Sequence, residues 1–221
     1  TQGRDHLASM GVYLFRREVL SCLLETRKEW VDFGREVIPG CIATHQVYSY
    51  LFDGFWVDIG TVRSYYEVSM KLVEPNSPFV FVAPGKPIYS HPRYLPGSRI
   101  RDSVITDSII CEGSSIYSAR VSNSIIGIRS VLRAGAEVNR SVTMGADYFE
   151  HGTMRGPLPL GIGPGTRIDC AIIDKNARVG KDVIIQGGPT LKDRMEHNYA
   201  VVDGIVVVLK NATIPDGTVI R

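Results

Sequence analysis

Aliphatic residues recur at six-residue intervals through the second half of the chain. The series are Val104, Ile110 and Ile116; after a slip near Val121, Ile126, Leu132, Val138 and Met144; then Ile173, Val179 and Ile185; and finally Val208, Ile214 and Ile220. A helix has a period of about 3.6 residues and a half-buried strand a period of about 2, so neither explains this spacing. The interval predicts a hexapeptide-type parallel β-helix, in which each unit forms one flat side of a triangular coil with its aliphatic residue inside.

Two stretches interrupt these series. Residues 147–165 are rich in glycine, and residues 187–199 are polar and charged. Long loops within a compact domain often carry function, so both stretches are candidates for a subunit or effector surface. The glycines at 161, 163 and 165 are not followed by a helical pattern, which favours a turn over a phosphate-binding loop.

The first 74 residues alternate between strand-like and helix-like patterns. Residues 9–15 and 46–52 are rich in β-branched and aromatic side chains, which predicts two buried strands. Helical spacing follows each of them, at Val19, Leu20, Leu23 and Leu24, and again at Tyr65, Tyr66, Met70 and Val73 after a candidate N-cap at Thr61. Alternating strands and helices favour an α/β layer architecture, and about eighty residues are too few for a complete nucleotide-binding sheet.

Three segments are therefore expected. Residues 1–74 form the C-terminal part of a Rossmann-like α/β domain, and residues 97–221 form the all-β parallel β-helix. Residues 75–96 contain prolines at short intervals and form a connector, because a Pro-rich chain stays extended and fairly stiff.

Composition and charge narrow the class of protein. Hydrophobic residues make up 44% and charged residues 22%, which is typical of a folded, soluble protein. The net charge of +2 is spread along the chain, which argues against a nucleic-acid or membrane partner. The aliphatic run 204–209 is much shorter than a membrane-spanning helix. The four cysteines lack metal-type spacing and indicate reduced thiols in a cytosol-like compartment.

Several motifs resemble a known family. They are residues 8–13 (ASMGVY), 32–34 (DFG) with 37–39 (VIP), and 56–61 (WVDIGT), followed by 87–89 (PIY), 92–96 (PRYLP), 127–130 (GIRS), 144–148 (MGADY), 161–163 (GIG) and 173–180 (IDKNARVG). In this order they are similar to glucose-1-phosphate adenylyltransferases, the ADP-glucose pyrophosphorylases, over essentially the whole chain. The resemblance implies that residues 1–74 carry the sugar-phosphate side of a nucleotidyltransferase domain and that the β-helix is left-handed and serves regulation and oligomerisation.

The resemblance also implies an activity and a set of site residues. The reaction would convert ATP and glucose 1-phosphate into ADP-glucose and pyrophosphate with Mg²⁺, for glycogen or starch synthesis. The positions carried over are Ser9, Tyr13, Asp32, Phe33 and Trp56 around the glucosyl phosphate, Asp58 as a catalytic residue at the metal, and Lys175 and Lys210 for an anionic metabolite effector. A tetramer held together by the β-helix is expected, in the cytoplasm or, for a plant protein, in the plastid stroma.

The family's Gly-rich ATP loop, its first metal-binding aspartate and its Glu-Lys-Pro motif are missing from these residues. We therefore expect this stretch of chain to be inactive on its own, with most of the ATP site outside it.

Other interpretations remain open from the residues alone. Asp58 could simply cap the helix that follows, and lysines such as Lys175 and Lys210 are usually only solvated. A hexapeptide-repeat acyltransferase is an alternative function, with His151 or His197 as its candidate catalytic histidine. A non-catalytic regulatory subunit of the same enzyme is another.

Overall fold

The structure is a computed structural model that describes residues 8–150 and 155–221. The chain divides into two compact units, Thr1–Asp58 and Ile59–Arg221. The helices of the first unit are α1 (Arg17–Thr26), a π-helical turn (Phe33–Val37) and α2 (Ile38–Cys41).

A small apolar core holds the first unit together. Leu23 of α1 is buried with Val37 and Cys41, and Phe15, Val19 and Trp30 pack around them. The helix predicted from Val19 and Leu23 is confirmed, because its apolar stripe is the face that enters this core.

The strands predicted at residues 9–15 and 46–52 are not formed. The described residues before Arg99 contain helices but no strand. Leu14 and Tyr50 are almost wholly exposed there. A β-rich composition makes a strand only where a neighbouring strand pairs with its backbone N–H and C=O groups, and these stretches have no such neighbour among the described residues.

Helix α3 (Val62–Leu72) opens the second unit. Thr61 is its N-cap, as predicted: Ser64 N donates to Thr61 Oγ1 at 3.0 Å and Thr61 N donates to Ser64 Oγ at 3.1 Å. This reciprocal pair satisfies backbone donors that the first helical turn leaves open. Residues 75–96 beyond the helix form neither helix nor strand, as expected of the Pro-rich connector.

The strands of the second unit follow one another around successive coils. The first three coils contain β1 (Arg99–Arg101), β2 (Val104–Thr106) and β3 (Ile109–Ile110); β4 (Ser115–Tyr117), β5 (Arg120–Ser122) and β6 (Ile125–Ile126); and β7 (Val131–Leu132), β8 (Glu137–Asn139) and β9 (Val142–Thr143). The later coils contain β10 (Gly161–Ile162), β11 (Arg167–Asp169) and β12 (Ala171–Ile173); β13 (Arg178–Val179), β14 (Ile184–Gln186), β15 (Arg194–Met195), β16 (Tyr199–Val202) and β17 (Ile205–Val208); and β18 (Thr213–Ile214) and β19 (Val219–Ile220).

Successive coils add strands to three sheets, and the last coil, with β18 and β19, adds to only two of them. The first sheet has the order β1-β4-β7-β10-β13-β18, and the second runs through β2, β5, β8, β11, β14 and β19. The third sheet runs through β3, β6, β9, β12 and β17 and ends on β16 and β15. All neighbours pair in parallel except β15 with β16 and β16 with β17, which are antiparallel. The architecture is therefore the predicted parallel β-helix.

One aliphatic column lines the inside of each of the first two sheets. The first column is Ile100, Ile116, Leu132, Ile162, Val179 and Ile214, in that register. The second is Ile105, Val121, Val138, Ile168, Ile185 and Ile220. Most of these side chains are fully buried in one continuous core. Each coil therefore buries its apolar side chains against those of the coils above and below it.

Two residues of the six-residue series were placed wrongly. Val104 is 56% exposed, and the inward position belongs to Ile105; Thr143, not Met144, stands in register with Ile126 on the inside of the third sheet. The coils repeat after 16 or 17 residues, so some sides are five residues long rather than six. A shift of one residue turns a side chain to the opposite face, which also explains the apparent slip at Val121.

Helix α3 covers the outer face of the third sheet. Val142, Ile172 and Ile205 point outward from this sheet yet are buried, because Val62, Tyr65, Tyr66 and Met70 pack on them. The Tyr66 hydroxyl also donates to the carbonyl of Arg140 at 2.6 Å. The helix therefore forms part of the β-helix unit, whereas the sequence-based boundary at residue 74 assigned it to the first segment.

Both predicted excursions are present, but their bounds differ from the predicted ones: the first ends before β10, inside the predicted range 147–165, and the second continues beyond residue 199 to β17. The first joins β9 to β10, and its residues 151–154 lie outside the described part. The second joins β14 to β17 and contains the strands β15 and β16, which the polar sequence did not predict. No helix among the described residues is long and apolar enough to cross a membrane.

Candidate functional site

Four of the five residues predicted to hold the glucosyl phosphate lie together in the first unit. Ser9 Oγ and the Tyr13 hydroxyl share a hydrogen bond of 3.1 Å, and the Tyr13 ring stacks on Phe33 with centroids 5.7 Å apart. A Cβ placed on Gly34 would lie 3.5 Å from Asp32 Oδ1 and 3.6 Å from the Tyr13 hydroxyl. A carboxylate, two hydroxyls and an aromatic stack thus converge on one exposed surface.

The π-helical turn positions Asp32 and Phe33. Asp32 is its N-cap, and Asp32 Oδ1 accepts a hydrogen bond from Arg35 N at 2.8 Å. The Glu36 carboxylate accepts from Val31 N at 2.5 Å and from Asp32 N at 3.0 Å. These hydrogen bonds fix the backbone at the start of the turn. The Asp32 carboxyl oxygens keep further lone pairs that can accept a hydrogen bond from a ligand hydroxyl.

Trp56 and Asp58 lie in an irregular segment at the end of the first unit. Trp56 is 41% exposed, and Asp58 is exposed. The hydrogen bond and ring contacts that join Ser9, Tyr13 and Phe33 do not extend to Trp56. The following helix is capped by Thr61, so capping does not account for Asp58.

The described residues do not make a complete metal site. Nowhere in residues 8–150 and 155–221 do three or more His, Cys, Asp or Glu side chains group closely enough to hold an ion. Mg²⁺ is often bound by one or two carboxylates together with waters and substrate phosphates. Asp58 fits such a role as a single oxygen donor, and the remaining donors would have to come from elsewhere.

The two lysines predicted to bind an anionic effector both form ion pairs with the same carboxylate, that of Asp147 in the second unit. Lys175 Nζ lies 2.9 Å from Asp147 Oδ1, and Lys210 Nζ lies 3.8 Å from Asp147 Oδ2. The pKa of the Asp147 carboxyl is lowered, mainly by the hydrogen bond from Lys175 and then by that from Asn176. All three charged side chains are about one-third to one-half exposed, so a solute can reach them.

Stacked corners of the coil bring these lysines together. Lys175 follows β12 and Lys210 follows β17, one coil further on. At each corner the next residue, Asn176 or Asn211, adopts a left-handed conformation with φ near +60°, and Asn176 Nδ2 donates to Asn211 Oδ1 at 3.0 Å. Asparagine tolerates this conformation better than most residues, so the same turn repeats and aligns the two lysines.

A buried ion pair holds the excursion that carries Asp147. Arg178 on β13 donates to Glu150 Oε1 at 2.8 Å and to Glu150 Oε2 at 3.2 Å, and it also donates to the carbonyl of Leu158 and to the Tyr148 hydroxyl. The Arg178 and Glu150 side chains are only 6% and 11% exposed. The guanidinium therefore joins both ends of the described excursion to the outer face of the first sheet.

The Glu150 carboxylate is the acceptor of this clamp. It also accepts from Arg155 N at 3.0 Å and Leu160 N at 2.8 Å. The hydrogen bond from Arg178 outweighs burial and lowers the pKa of Glu150 from 4.5 to about 2. A carboxyl whose pKa is depressed in the folded state stabilises that state above its unfolded pKa and loses this contribution as the pH falls through its folded pKa.

The stability of the protein should therefore depend on Glu150 in acid. Between pH 4.5 and pH of about 2, the wild type should lose roughly 1–2 kcal/mol of unfolding free energy that Glu150→Gln does not lose. Urea unfolding at a series of pH values measures the difference between the two proteins. Parallel pH profiles would show that the Glu150 carboxylate contributes no acid-dependent stability.

Sequence reasoning missed Asp147, Glu150 and Arg178. Asp147 and Arg178 stand inside motifs that carry the family resemblance, which was the available signal. No local pattern indicates that Asp147 pairs with lysines far along the chain. Of the histidines considered for acyl transfer, His197 lies exposed in the turn between β15 and β16, and His151 lies outside the described residues.

Comparison with protein-family models gives two matches. The model described as the GLGC left-handed parallel beta-helix domain matches residues 93–219, more than half of the chain. The model described as nucleotidyl transferase matches residues 2–74. The first match adds left-handedness to the parallel coils, and the second covers the segment in which Ser9, Tyr13, Asp32 and Phe33 converge.

Proposed function

We infer that this chain, which belongs to the family of the GLGC left-handed parallel β-helix domain, is part of a glucose-1-phosphate adenylyltransferase. A nucleotidyl transferase segment precedes the β-helix, and the two together are those of a nucleotidyltransferase of the ADP-glucose pyrophosphorylase type. The observation that carries the proposal is the occurrence of both domains, in this order, in one chain. In the proposed reaction a phosphate oxygen of glucose 1-phosphate attacks the α-phosphorus of ATP. The bond from that phosphorus to the β-phosphate oxygen breaks, giving ADP-glucose and pyrophosphate for glycogen or starch synthesis.

The convergent cluster of the first unit supports a role in sugar-phosphate binding. A hexose presents hydroxyl edges and a C–H face, which are complementary to polar acceptors and to an aromatic ring. Asp32 and the Ser9–Tyr13 hydroxyl pair supply the polar groups, and the stacked Tyr13 and Phe33 rings supply the apolar wall. Trp56 is proposed to add a second aromatic surface when the substrate is bound.

Asp58 is proposed as the catalytic carboxylate at a Mg²⁺ ion. A bound Mg²⁺ would neutralise charge on the reacting phosphates. Asp58 would supply one oxygen ligand, and it lies in the irregular segment before the Thr61 cap rather than inside a helix. ATP would be held mainly by residues outside those described.

The second unit is proposed to be regulatory. Lys175 and Lys210 present two positive charges at one accessible corner, which suits a phosphate-bearing metabolite as effector. The stacked coils are proposed to join four subunits, and the enzyme to work in the cytoplasm or, in a plant, in the plastid stroma.

Adenylyl transfer by the natural full-length protein tests the function. With ATP, Mg²⁺ and glucose 1-phosphate, we expect ADP-glucose and pyrophosphate to form in equal amounts. Asp58→Asn should lower kcat by at least about 100-fold, because a neutral amide is a much poorer ligand for a hard cation. Asp53→Asn is the matched control, since it makes the same change five residues earlier in the same irregular segment.

Three outcomes would contradict the proposal. Turnover with another nucleotide or sugar phosphate but not with ATP and glucose 1-phosphate would assign a different substrate pair. Equal activity of the Asp58→Asn and Asp53→Asn proteins would remove Asp58 from the reaction. Absence of any turnover together with phosphate binding at Lys175 and Lys210 would favour a non-catalytic regulatory subunit.

A further inference from the structure

Asp147 occupies the place where an external anion would bind. Its two carboxylate oxygens face two different ammonium groups, Oδ1 facing Lys175 and Oδ2 facing Lys210. Oδ2 also accepts a hydrogen bond from Asn176 Nδ2 at 3.1 Å. Among these three side chains, one negative charge therefore faces two positive charges. The Asp147 carboxylate therefore occupies the anion site between Lys175 and Lys210 but neutralises only one of the two positive charges.

The Asp147 side chain can leave without releasing its backbone. Asp147 N donates to Asn176 Oδ1 at 2.8 Å, and this bond does not involve the carboxylate. Gly145, two residues earlier, has φ +80° and sits so close to the carbonyl of Ile128 that a Cβ would collide with it. The Arg178–Glu150 pair fixes the chain on the other side. Rotation of one 42%-exposed side chain would therefore free both lysines, and the Asn176 amide that donates to the carboxylate, while the excursion stays in place.

The charge of the incoming anion decides whether displacement is favourable. A singly charged anion would offer the lysines the same charge as the Asp147 carboxylate that it displaces. It would also lose translational freedom on binding, so the exchange would be unfavourable. A phosphate monoester carries close to two negative charges above its second pKa of about 6 and offers three acceptor oxygens. It can hydrogen-bond to both ammonium groups and neutralise both.

We propose that Asp147 is a built-in competitor for the Lys175–Lys210 pair, so that only a dianion such as a phosphate monoester displaces it at moderate concentration. This deepens the proposed function, since it rests on these lysines forming the effector site. It adds that binding exchanges Asp147 for the ligand's phosphate. The lowered pKa of Asp147 agrees with this, because the carboxylate stays charged and paired at neutral pH.

The test uses two probes that differ in charge but little in size. Methyl phosphate is a dianion at about pH 8, whereas dimethyl phosphate has no second proton to lose and is a monoanion. NMR titration of the lysine side-chain signals gives the dissociation constants for the wild type, Asp147→Asn and Asp147→Ser. Glu137→Gln is the matched control, because Glu137 is an exposed ion-paired carboxylate on the second sheet, away from this corner.

Displacement predicts a specific pattern of affinities. Both Asp147 variants should bind methyl phosphate about three- to tenfold tighter than the wild type, and dimethyl phosphate should gain by a similar factor. Glu137→Gln should leave both affinities unchanged, and Lys175→Gln or Lys210→Gln should weaken both. In the wild type, methyl phosphate should move the Asp147 carboxyl-carbon signal to that of a solvated aspartate with the same midpoint as the lysine signals.

Each contrary result has its own meaning. Unchanged or weaker binding by the Asp147 variants overturns the competitor role, and the effector site itself survives if the lysine variants still lose affinity. If Asp147 stays beside the bound ligand and repels it, its removal should increase the affinity more for the dianion than for the monoanion. Because the ligand charge is doubled, the factor for methyl phosphate would be about the square of the factor for dimethyl phosphate, and this result contradicts displacement. An unmoved Asp147 signal contradicts displacement even if the variants do not fold. If neither phosphate binds at Lys175 and Lys210 in the wild type or in any variant, both the inference and the effector site are wrong. The proposed adenylyl transfer is tested separately and would not be affected.

Discussion

Replacing Arg178 with Met is expected to lower the free energy of unfolding by about 3–5 kcal/mol. Met keeps much of the volume of the arginine stem but removes the guanidinium donors that bond to Glu150, Leu158 and Tyr148. The Glu150 carboxylate, 11% exposed, would then lose its ion-pair partner. Urea unfolding monitored by circular dichroism measures the change.

Two comparison variants separate this buried pair from ordinary surface charge. Arg167→Met removes a 71%-exposed guanidinium that lies 3.8 Å from Glu137, and it should cost less than about 0.5 kcal/mol. Adding Glu150→Gln to Arg178→Met should restore part of the stability, since no uncompensated charge remains. An Arg178→Met protein as stable as Arg167→Met would mean that the pair does not anchor the excursion.

Leu132→Ala is expected to destabilise the β-helix by about 2–5 kcal/mol. Leu132 is fully buried in the inner column of the first sheet, between Ile116 and Ile162 in the coils on either side. Removing its branched end leaves a cavity that rigid strands cannot easily close. Denaturant midpoints of the variant and the wild type give the difference.

Val104→Ala serves as the control for the register of the coils. Val104 belongs to the same six-residue series as Ile116, yet it faces outward and is 56% exposed. Its truncation should change stability by less than about 0.5 kcal/mol. If Val104→Ala cost as much as Leu132→Ala, the inward assignment of Ile105 would be wrong.

Local sequence was sufficient for helices α1 and α3 because their signals are contained within one or two turns. The apolar spacing around Leu23 marks the buried face of α1, and Thr61 marks the start of α3. What α3 packs against was not readable. Tyr65 and Tyr66 would suit many apolar surfaces, and only the completed third sheet offers Val142 and Ile172 on its outside.

For the candidate site too, the sequence indicated individual residues but not all of their partners in space. The family resemblance singled out Ser9, Tyr13, Asp32 and Phe33, and the structure brings these four together; their functional role stays a prediction. It also singled out Lys175 and Lys210. The carboxylate between them could not be predicted, because Asp147 reaches them only through the stacking of separate coils.

The sequence by itself determined that aliphatic residues recur at about one per coil side, and this repetition is enough to specify a parallel β-helix. The tertiary structure decided which residue of each side turns inward, since sides of five and six residues occur in no regular order and a single-residue shift reverses a strand's faces. It also decided that residues 9–15 and 46–52 form no strand, because strand formation depends on a hydrogen-bonding neighbour. Contacts between residues far apart in the chain, such as Asp147 with Lys210, exist only once the coils have stacked.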